Sequence, residues 1–285
     1  MPGREAIKFI KTTFTGYTRA SVKDIFGASV LVIAAHPDDE CVAAGALYRQ
    51  LEKAVFCHLT DGAPRNLVDA RAHGFKDAGE YAEARRRELF SALSLAGVPP
   101  ENCVQAGIAD LEASRSLVYA AGWVKDRIKE FAPETILTLA YEGGHPDHDA
   151  ASFAAHAAAS LLRKEGAMPP PLIECPLYHA LGRVARFEST GFIPREDTEP
   201  ITFILTEEER KLKREMLERF VTQSGMLRFF SVEEECFRTA PQYDFTKPPH
   251  EGKLFYESFE WGHDGPGWRE EAGKALEKLG LKGKI

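Results

Sequence analysis

Cysteine is scarce in this 285-residue chain: Cys41, Cys57, Cys103, Cys175 and Cys236 are widely spaced, and no two form a CxxC pair. An odd, scattered set, with three members in or beside apolar segments, excludes a disulfide scaffold and predicts free thiols in a reducing cytoplasm. Long apolar runs are missing as well. No stretch approaches the ~20 residues that cross a bilayer, so no stable membrane insertion is expected. The opening MPGREAIKFIKTTFTGYTRASVKD has no continuous apolar core behind its charges, which argues against a secretory signal. Nor is there a basic excess. Lys and Arg number 36 against 43 Asp and Glu, for a net charge of −7. The one basic cluster, Arg85-Arg86-Arg87, is interrupted by Glu80, Glu83 and Glu88 and reads as a charged helix face. Nucleic acid, which needs a concentrated basic surface, is therefore not the expected partner. No internal repeat is present. At 44% apolar residues the chain is ordinary globular protein, long enough to bury a large core without crosslinks.

What is there is an alternation. Ser29–Ala35 (SVLVIAA) is a short β-branched run, the pattern of a strand buried on both faces, and a helical stretch through Val42, Ala46, Leu47 and Leu51 follows it. Ala54–Leu59 reads as a second strand ending in a turn at Thr60-Asp61-Gly62. Glu80–Ala96 reads as a helix with Gly97 at its C-cap, Asn102–Ala106 as a strand, and Ser114–Phe131 as a helix. Thr135–Ala140 is another strand, before an Ala-rich helix over Ala150–Leu162. After a Pro-rich break, Leu172–Leu181 and Ile201–Leu205 read as strands and Glu207–Thr222 as a charged amphipathic helix. Strands alternating with helices imply right-handed crossovers, hence an α/β fold: a Rossmann-like three-layer α/β/α arrangement with a mostly parallel sheet. We divide the chain into an N-terminal extension (1–28), a core (29–222), and an aromatic-rich tail (223–285) expected to wrap the core or rim the site.

In such sheets ligands bind beyond the carboxyl ends of the strands. Two polar clusters fall there, His36-Pro37-Asp38-Asp39-Glu40 after the first strand and His145-Pro146-Asp147-His148-Asp149 after the fourth. Either alone is unremarkable, because Pro-Asp and Asp-Asp suit turns and helix N-termini. Together, each against an apolar strand, they need a reason, since buried carboxylates are costly unless paired or bound to metal. Converging, they can supply two imidazoles and one carboxylate to a single ion and leave positions open for water and substrate, as catalytic rather than structural zinc sites do.

These clusters, with Thr60-Asp61-Gly62, Arg85 through Glu88, and Asp110 after the third strand, make the chain resemble the PIG-L/LmbE-like metal-dependent N-deacetylases over about residues 29–165. The resemblance implies a zinc ion held by His36, Asp39 and His148, with Fe2+ or another divalent ion as substitutes. It implies Asp38 as general base, His145 as the group that stabilises the oxyanion, and Asp147 as the carboxylate that orients that histidine. Arg85 and Asp110 match positions that in some members hold sugar hydroxyls. The implied activity is removal of an N-acetyl group from a small-molecule amino sugar or N-acetylglucosamine-containing conjugate. Three departures stand out: Ala43-Ala44-Gly45 keeps one glycine of a usually Gly-rich stretch, Asp149 replaces an arginine, and Gly143 stands where some members carry a tyrosine, with Tyr141 displaced.

Two other readings compete. The same two-histidine, one-carboxylate set serves Fe(II) oxygen chemistry, although such an enzyme has little use for Asp38 beside its metal. A non-catalytic sugar-binding module would carry a degraded metal set, whereas every expected position is filled. His58 and His156 read as core or surface histidines, and Cys41 as packing. Tyr178 and His179 follow a strand and are candidates to enter the site. Asp149 reads as a first-turn acid favoured by the helix dipole. The sequence leaves homo-oligomerisation open.

Overall fold

The computed structural model describes residues 21–181, 189 and 191–285, so residues 1–20 of the N-terminal extension lie outside the described residues. The chain runs α1 (Val22–Phe26), β1 (Ser29–Ala34), α2 (Asp39–Ala44), β2 (Lys53–Pro64), α3 (Val68–Ala72), α4 (Ala78–Ser94), β3 (Cys103–Asp110) and α5 (Leu117–Phe131). It continues through β4 (Thr135–Leu139), α6 (Pro146–Lys164), β5 (Leu172–Cys175), β6 (Ile201–Ile204), α7 (Glu207–Leu217), α8 (Ser224–Leu227), β7 (Glu234–Thr239) and α9 (Gly265–Leu279).

The strands form one sheet in the order β3-β2-β1-β4-β5-β7-β6. Every pairing from β3 through β5 is parallel, and the two involving β7 are antiparallel. The β-branched run of β1 lies at the middle with Leu31 and Ile33 fully buried, as a strand covered on both faces requires. Helices α5, α6 and α9 pack together, as do α2, α4 and α7. The α/β/α layering expected from the alternation is thus present. Among the described residues no helix is long and apolar enough to cross a membrane.

Three local readings differ. β2 does not turn at Thr60-Asp61-Gly62 but continues to Pro64. Register shifts against β3 absorb the irregular residues, and the Thr60 hydroxyl donates to the Ala35 carbonyl at 2.9 Å. The helix after β4 begins at Pro146, which places the second cluster inside its first turn. The tail beyond residue 223 does more than wrap, because its strand β7 lies between β5 and β6.

Helix α6 is buried nearly all round, with Ala150, Ala151, Ala154, Ala155, Ala157 and Ala158 fully enclosed. Small side chains let the helix approach its neighbours closely. Within it, His156 donates from Nδ1 to the Ile285 carbonyl at 3.2 Å and sits edge-on to Tyr243 and Phe245. It is the core histidine anticipated from sequence. Burial pushes its imidazole down from 6.5 to about 4. The unfolded chain takes up this proton near the ordinary value, and the folded chain only near the depressed one. The contribution of this group is therefore complete above pH 6.5 and is lost as pH falls toward 4, by at most about 1.4 kcal/mol per unit. Denaturant melts of wild type and His156→Gln are expected to show a stability difference that shifts against wild type across that window. A difference independent of pH would contradict this account.

Candidate metal and catalytic site

β1 and β4 are neighbours in the sheet, yet the chain leaves β1 toward β2 on one side and returns to β4 on the other. The loops after these two strands therefore diverge and open a crevice at their carboxyl ends. The first cluster enters α2 from β1, and the second enters α6 from β4. Topology thus brings together residues more than a hundred positions apart. Gly144, just before His145, permits one close approach: a Cβ there would lie 2.0 Å from the Tyr178 carbonyl oxygen.

Donor atoms of three side chains meet in the crevice. His36 Nδ1 lies 3.2 Å from His148 Nε2, His148 Nε2 lies 3.2 Å from Asp39 Oδ1, and His36 Nδ1 lies 3.6 Å from Asp39 Oδ2. Nitrogen and oxygen ligands bound tetrahedrally at ~2.0–2.2 Å stand roughly 3.3–3.6 Å from one another, so the spacing suits one small cation. Asp39 and His36 are also oriented from behind. Asp39 Oδ2 accepts the backbone N–H groups of Ala35 (3.0 Å) and His36 (2.8 Å), which leaves Oδ1 facing His148. His36 Nε2 donates to Asp110 Oδ1 at 3.1 Å, with Asp147 Oδ2 at 3.5 Å, which leaves the Nδ1 lone pair facing the convergence point. Outer carboxylates fix ligand histidines in this way. Charge points in the same direction: Asp38, Asp39, Asp110 and Asp147 are all buried here with one guanidinium, that of Arg85. Burial pushes the His36 imidazolium down, but Asp110, Asp147 and Asp39 outweigh it and raise it well above the ordinary value. The site calls for positive charge, and a divalent metal fits it.

His145 also lies close to His36 and His148, and the three could by proximity hold an ion. Its hydrogen bonding argues for a different part. His145 Nδ1 accepts the Asp147 backbone N–H at 3.1 Å, so in this orientation the ring's hydrogen sits on Nε2 and no lone pair remains there for a metal. Burial, followed by the neighbouring His36 and His148, pushes its imidazole well below 6.5 and keeps it neutral. His145 is thereby a fixed hydrogen-bond donor. The Asp147 carboxylate, expected to orient this histidine, is instead bonded to the backbone N–H groups of Leu111 (2.7 Å) and Ala113 (3.1 Å). The residue orients His145 through its main chain.

Asp38 stands beside the convergence point in a left-handed backbone conformation, φ 153° and ψ −29°, that a non-glycine residue adopts only under constraint. The constraint is visible. Its N–H donates to Glu40 Oε2 at 3.1 Å, the same oxygen that accepts His58 Nε2–H at 2.9 Å, and Glu40 and His58 are both wholly buried. Arg85 donates to Asp38 Oδ2 (3.1 Å), the Pro37 carbonyl (3.1 Å) and the Gly62 carbonyl (2.7 Å). Burial raises the Asp38 carboxyl, Arg85 opposes, and the balance stands at about 7. Arg85 and Asp110 both line the cavity; Arg85 also binds Asp38 through Nη2, and Asp110 binds His36 through Oδ1. The supporting role of His58 was not legible, since nothing in the sequence aligns a mid-strand histidine with a glutamate eighteen residues earlier.

The donors open into a cavity of about 210 Å³ whose wall also includes Val42, Leu177, Tyr178, Leu227 and Trp261. Tyr178 thus reaches the site, edge-on to His148, whereas His179 is buried and does not line the cavity. Tyr141 points away, donating to the Lys247 carbonyl and stacking on Trp268. Asp149 Oδ1 accepts the N–H groups of Glu142 (3.3 Å) and Gly143 (3.0 Å), so it pins the loop before α6 beyond any dipole effect. Cys41 is buried with its thiol donating to Glu40, and burial together with that carboxylate pushes its pKa far up, which fits packing and not nucleophilic attack.

Comparison with known proteins agrees with this architecture. A 1D-myo-inositol 2-acetamido-2-deoxy-alpha-D-glucopyranoside deacetylase of Corynebacterium glutamicum is 28% identical over 167 residues, 49% of this chain. The matched region spans 56% of that relative's length. An A40926 pseudoaglycone deacetylase has the same fold, with a TM-score of 0.57 at 21% identity over 74% of this chain and 96% of its own. So does the zinc-inhibited form of a teicoplanin deacetylase, with a TM-score of 0.57 at 17% identity over 76% of this chain and 99% of its own. The family model described as PIG-L, GlcNAc-PI de-N-acetylase, matches residues 31–159, which span both His/Asp clusters and the strands that carry them. The likeness to that family therefore lies in the segment that carries the candidate site.

Proposed function

We propose that the protein is a zinc-dependent hydrolase that removes an N-acetyl group from an amino sugar or an N-acetylglucosamine-containing conjugate. The observation that carries the reading is the meeting of the His36, Asp39 and His148 side chains, with His148 Nε2 3.2 Å from both His36 Nδ1 and Asp39 Oδ1, and with the Asp38 carboxylate and the His145 Nε2–H beside them in one cavity. The activity for which the Corynebacterium relative is named, on an N-acetylated glucosaminide, supports an acetylated hexosamine as substrate class.

His36, Asp39 and His148 would hold the ion. When bound there, zinc acts as a Lewis acid toward an amide carbonyl and makes water a nucleophile near neutral pH. The protein's own groups do the rest. Asp38 takes a proton from the attacking water as its oxygen bonds to the amide carbon. His145 donates from Nε2 to the carbonyl oxygen as negative charge grows on it, and because its Nδ1 is already committed the donor needs no reorientation. The carbon–nitrogen bond then breaks, the nitrogen leaves with the proton returned to it, and acetate and a free amine result. Arg85 and Asp110 hold Asp38 and His36 in place. A base beside the metal also weighs against the Fe(II) oxygen reading, which has no proton for Asp38 to take.

Three substitutions separate these roles. His148→Ala is expected to lose bound metal and amine release together. Asp38→Asn keeps the metal by elemental analysis but loses at least ~10²-fold in turnover, as removal of a general base does. His145→Ala keeps the metal and loses ~10²–10³-fold, the scale of one oxyanion donor. Metal loss in His145→Ala would make that residue a ligand instead. Chelation should abolish amine release from N-acetylglucosamine conjugates and added zinc restore it; full activity in metal-free protein would overturn the mechanism.

A further inference from the structure

The cavity has one wall that neither the metal nor the acid–base groups explain. Trp261 lies outside the segment matched by the PIG-L model, and its ring lines the cavity with its centroid 4.8 Å from that of His145. Behind it, Phe259 stacks at 4.4 Å with the rings 11° from parallel, and Phe255 meets Phe259 edge-on at 5.1 Å. The segment bearing these rings is tied to the loops after β4 and β3. The Phe255 N–H donates to the Gly143 carbonyl at 2.9 Å, and the Trp268 indole donates to the Pro146 carbonyl at 2.9 Å. His263 donates from Nε2 to the Leu111 carbonyl at 2.8 Å and accepts the Ser114 hydroxyl on Nδ1 at 3.3 Å. These four hydrogen bonds hold the segment on either side of the half-buried indole against the site.

An indole at the wall of a cavity offers an apolar face to a partner that is flat and partly apolar. A pyranose ring in a chair is such a partner, because its axial C–H groups form an apolar face while its hydroxyls spread around the edge. We propose that Trp261 is the platform on which the hexosamine ring of the substrate lies, so that the amide nitrogen on that ring is presented to Asp38 and His145. The inference rests on the amide-hydrolase reading and deepens it: the preferred substrate is a cyclic amino sugar, and an acyclic N-acetyl amine of similar polarity is a poor one. Because the stacking is the same in the ground state and the transition state, its loss raises KM and leaves kcat nearly unchanged.

The test compares wild type, Trp261→Phe and Trp261→Leu on N-acetylglucosamine and on N-acetylethanolamine. Amine release is followed together with tryptophan emission during titration with N-acetylglucosamine. The expected result is a roughly tenfold higher KM for the sugar in Trp261→Leu, substantial rescue in Trp261→Phe, little change for the acyclic amide, and loss of the sugar-dependent emission change in both variants. An unchanged KM for the sugar in Trp261→Leu overturns the platform, as does an equal loss on both substrates, which would mean that the indole acts only by steadying His145. If wild type hydrolyses neither compound, the hydrolase reading fails, and the emission titration still decides the platform. Sugar-dependent emission that persists unaltered in Trp261→Phe overturns it.

Discussion

Four carboxylates and three imidazoles are packed against the ends of two apolar strands, and the remainder of the molecule is arranged around making that affordable. A single unpaired ionised group in such a place is strongly destabilising. Here most members have a partner that also aims them. Asp39 is held by two backbone N–H groups, His36 by Asp110, His145 by the main chain of Asp147, and Asp147 by the main chain of Leu111 and Ala113. The outcome is a cluster of metal-binding atoms gathered at one point, with an excess of carboxylates around it. Such a cluster calls for positive charge, as the strengthened hold of His36 on its proton also shows, so the same geometry that satisfies these groups from behind creates the demand for a metal in front.

That demand is met only because of the sheet's strand order. In a parallel sheet wound in one direction throughout, the loops after β1 and β4 would be separated by a strand or covered by a crossover helix. With β1 at the centre and the chain leaving it both ways, the two loops part and the crevice stays open. The fold therefore contributes one thing to the chemistry, a gap at a known edge. Everything else comes from the six or seven side chains that fill it.

The gap and its principal occupants were legible in sequence, because β-branched runs buried on both faces are easy to see and the His/Asp clusters follow them at once. The strand that joins β6 to the rest of the sheet was not. β7 reads EECFRT, and its enclosed positions include Glu235 and Arg238, which pair with Lys213 at 3.2 Å and Glu174 at 2.6 Å. A strand whose buried residues are charged shows no apolar periodicity, so hydrophobic pattern alone hides it. β2 escaped in a similar way. Thr60-Asp61-Gly62 has turn chemistry, but the Thr60 hydroxyl and a bulge keep the segment extended. Both failures arise where side-chain hydrogen bonding overrides local propensity. The same holds for Asp147, whose partners lie across the fold on the loop after β3.

Asp38 shows why these overrides cluster near the site. A base must sit next to the metal ligands without becoming one, although the residue after it is a ligand of identical chemistry. Two successive aspartates in ordinary helical or extended backbone would point to unrelated directions. The unusual torsions at Asp38 allow both carboxylates to face the same cavity. Such a conformation costs on the order of 1–3 kcal/mol and persists only if the surroundings over-determine it. Glu40 captures the Asp38 N–H from below, His58 steadies Glu40, and Arg85 holds the carboxylate and the preceding carbonyl from the side. The glutamate that closes the first cluster is thus as much a part of the geometry as the residues that face the substrate. Its burial beneath them explains how a motif of five consecutive polar-rich residues can be both strained and stable.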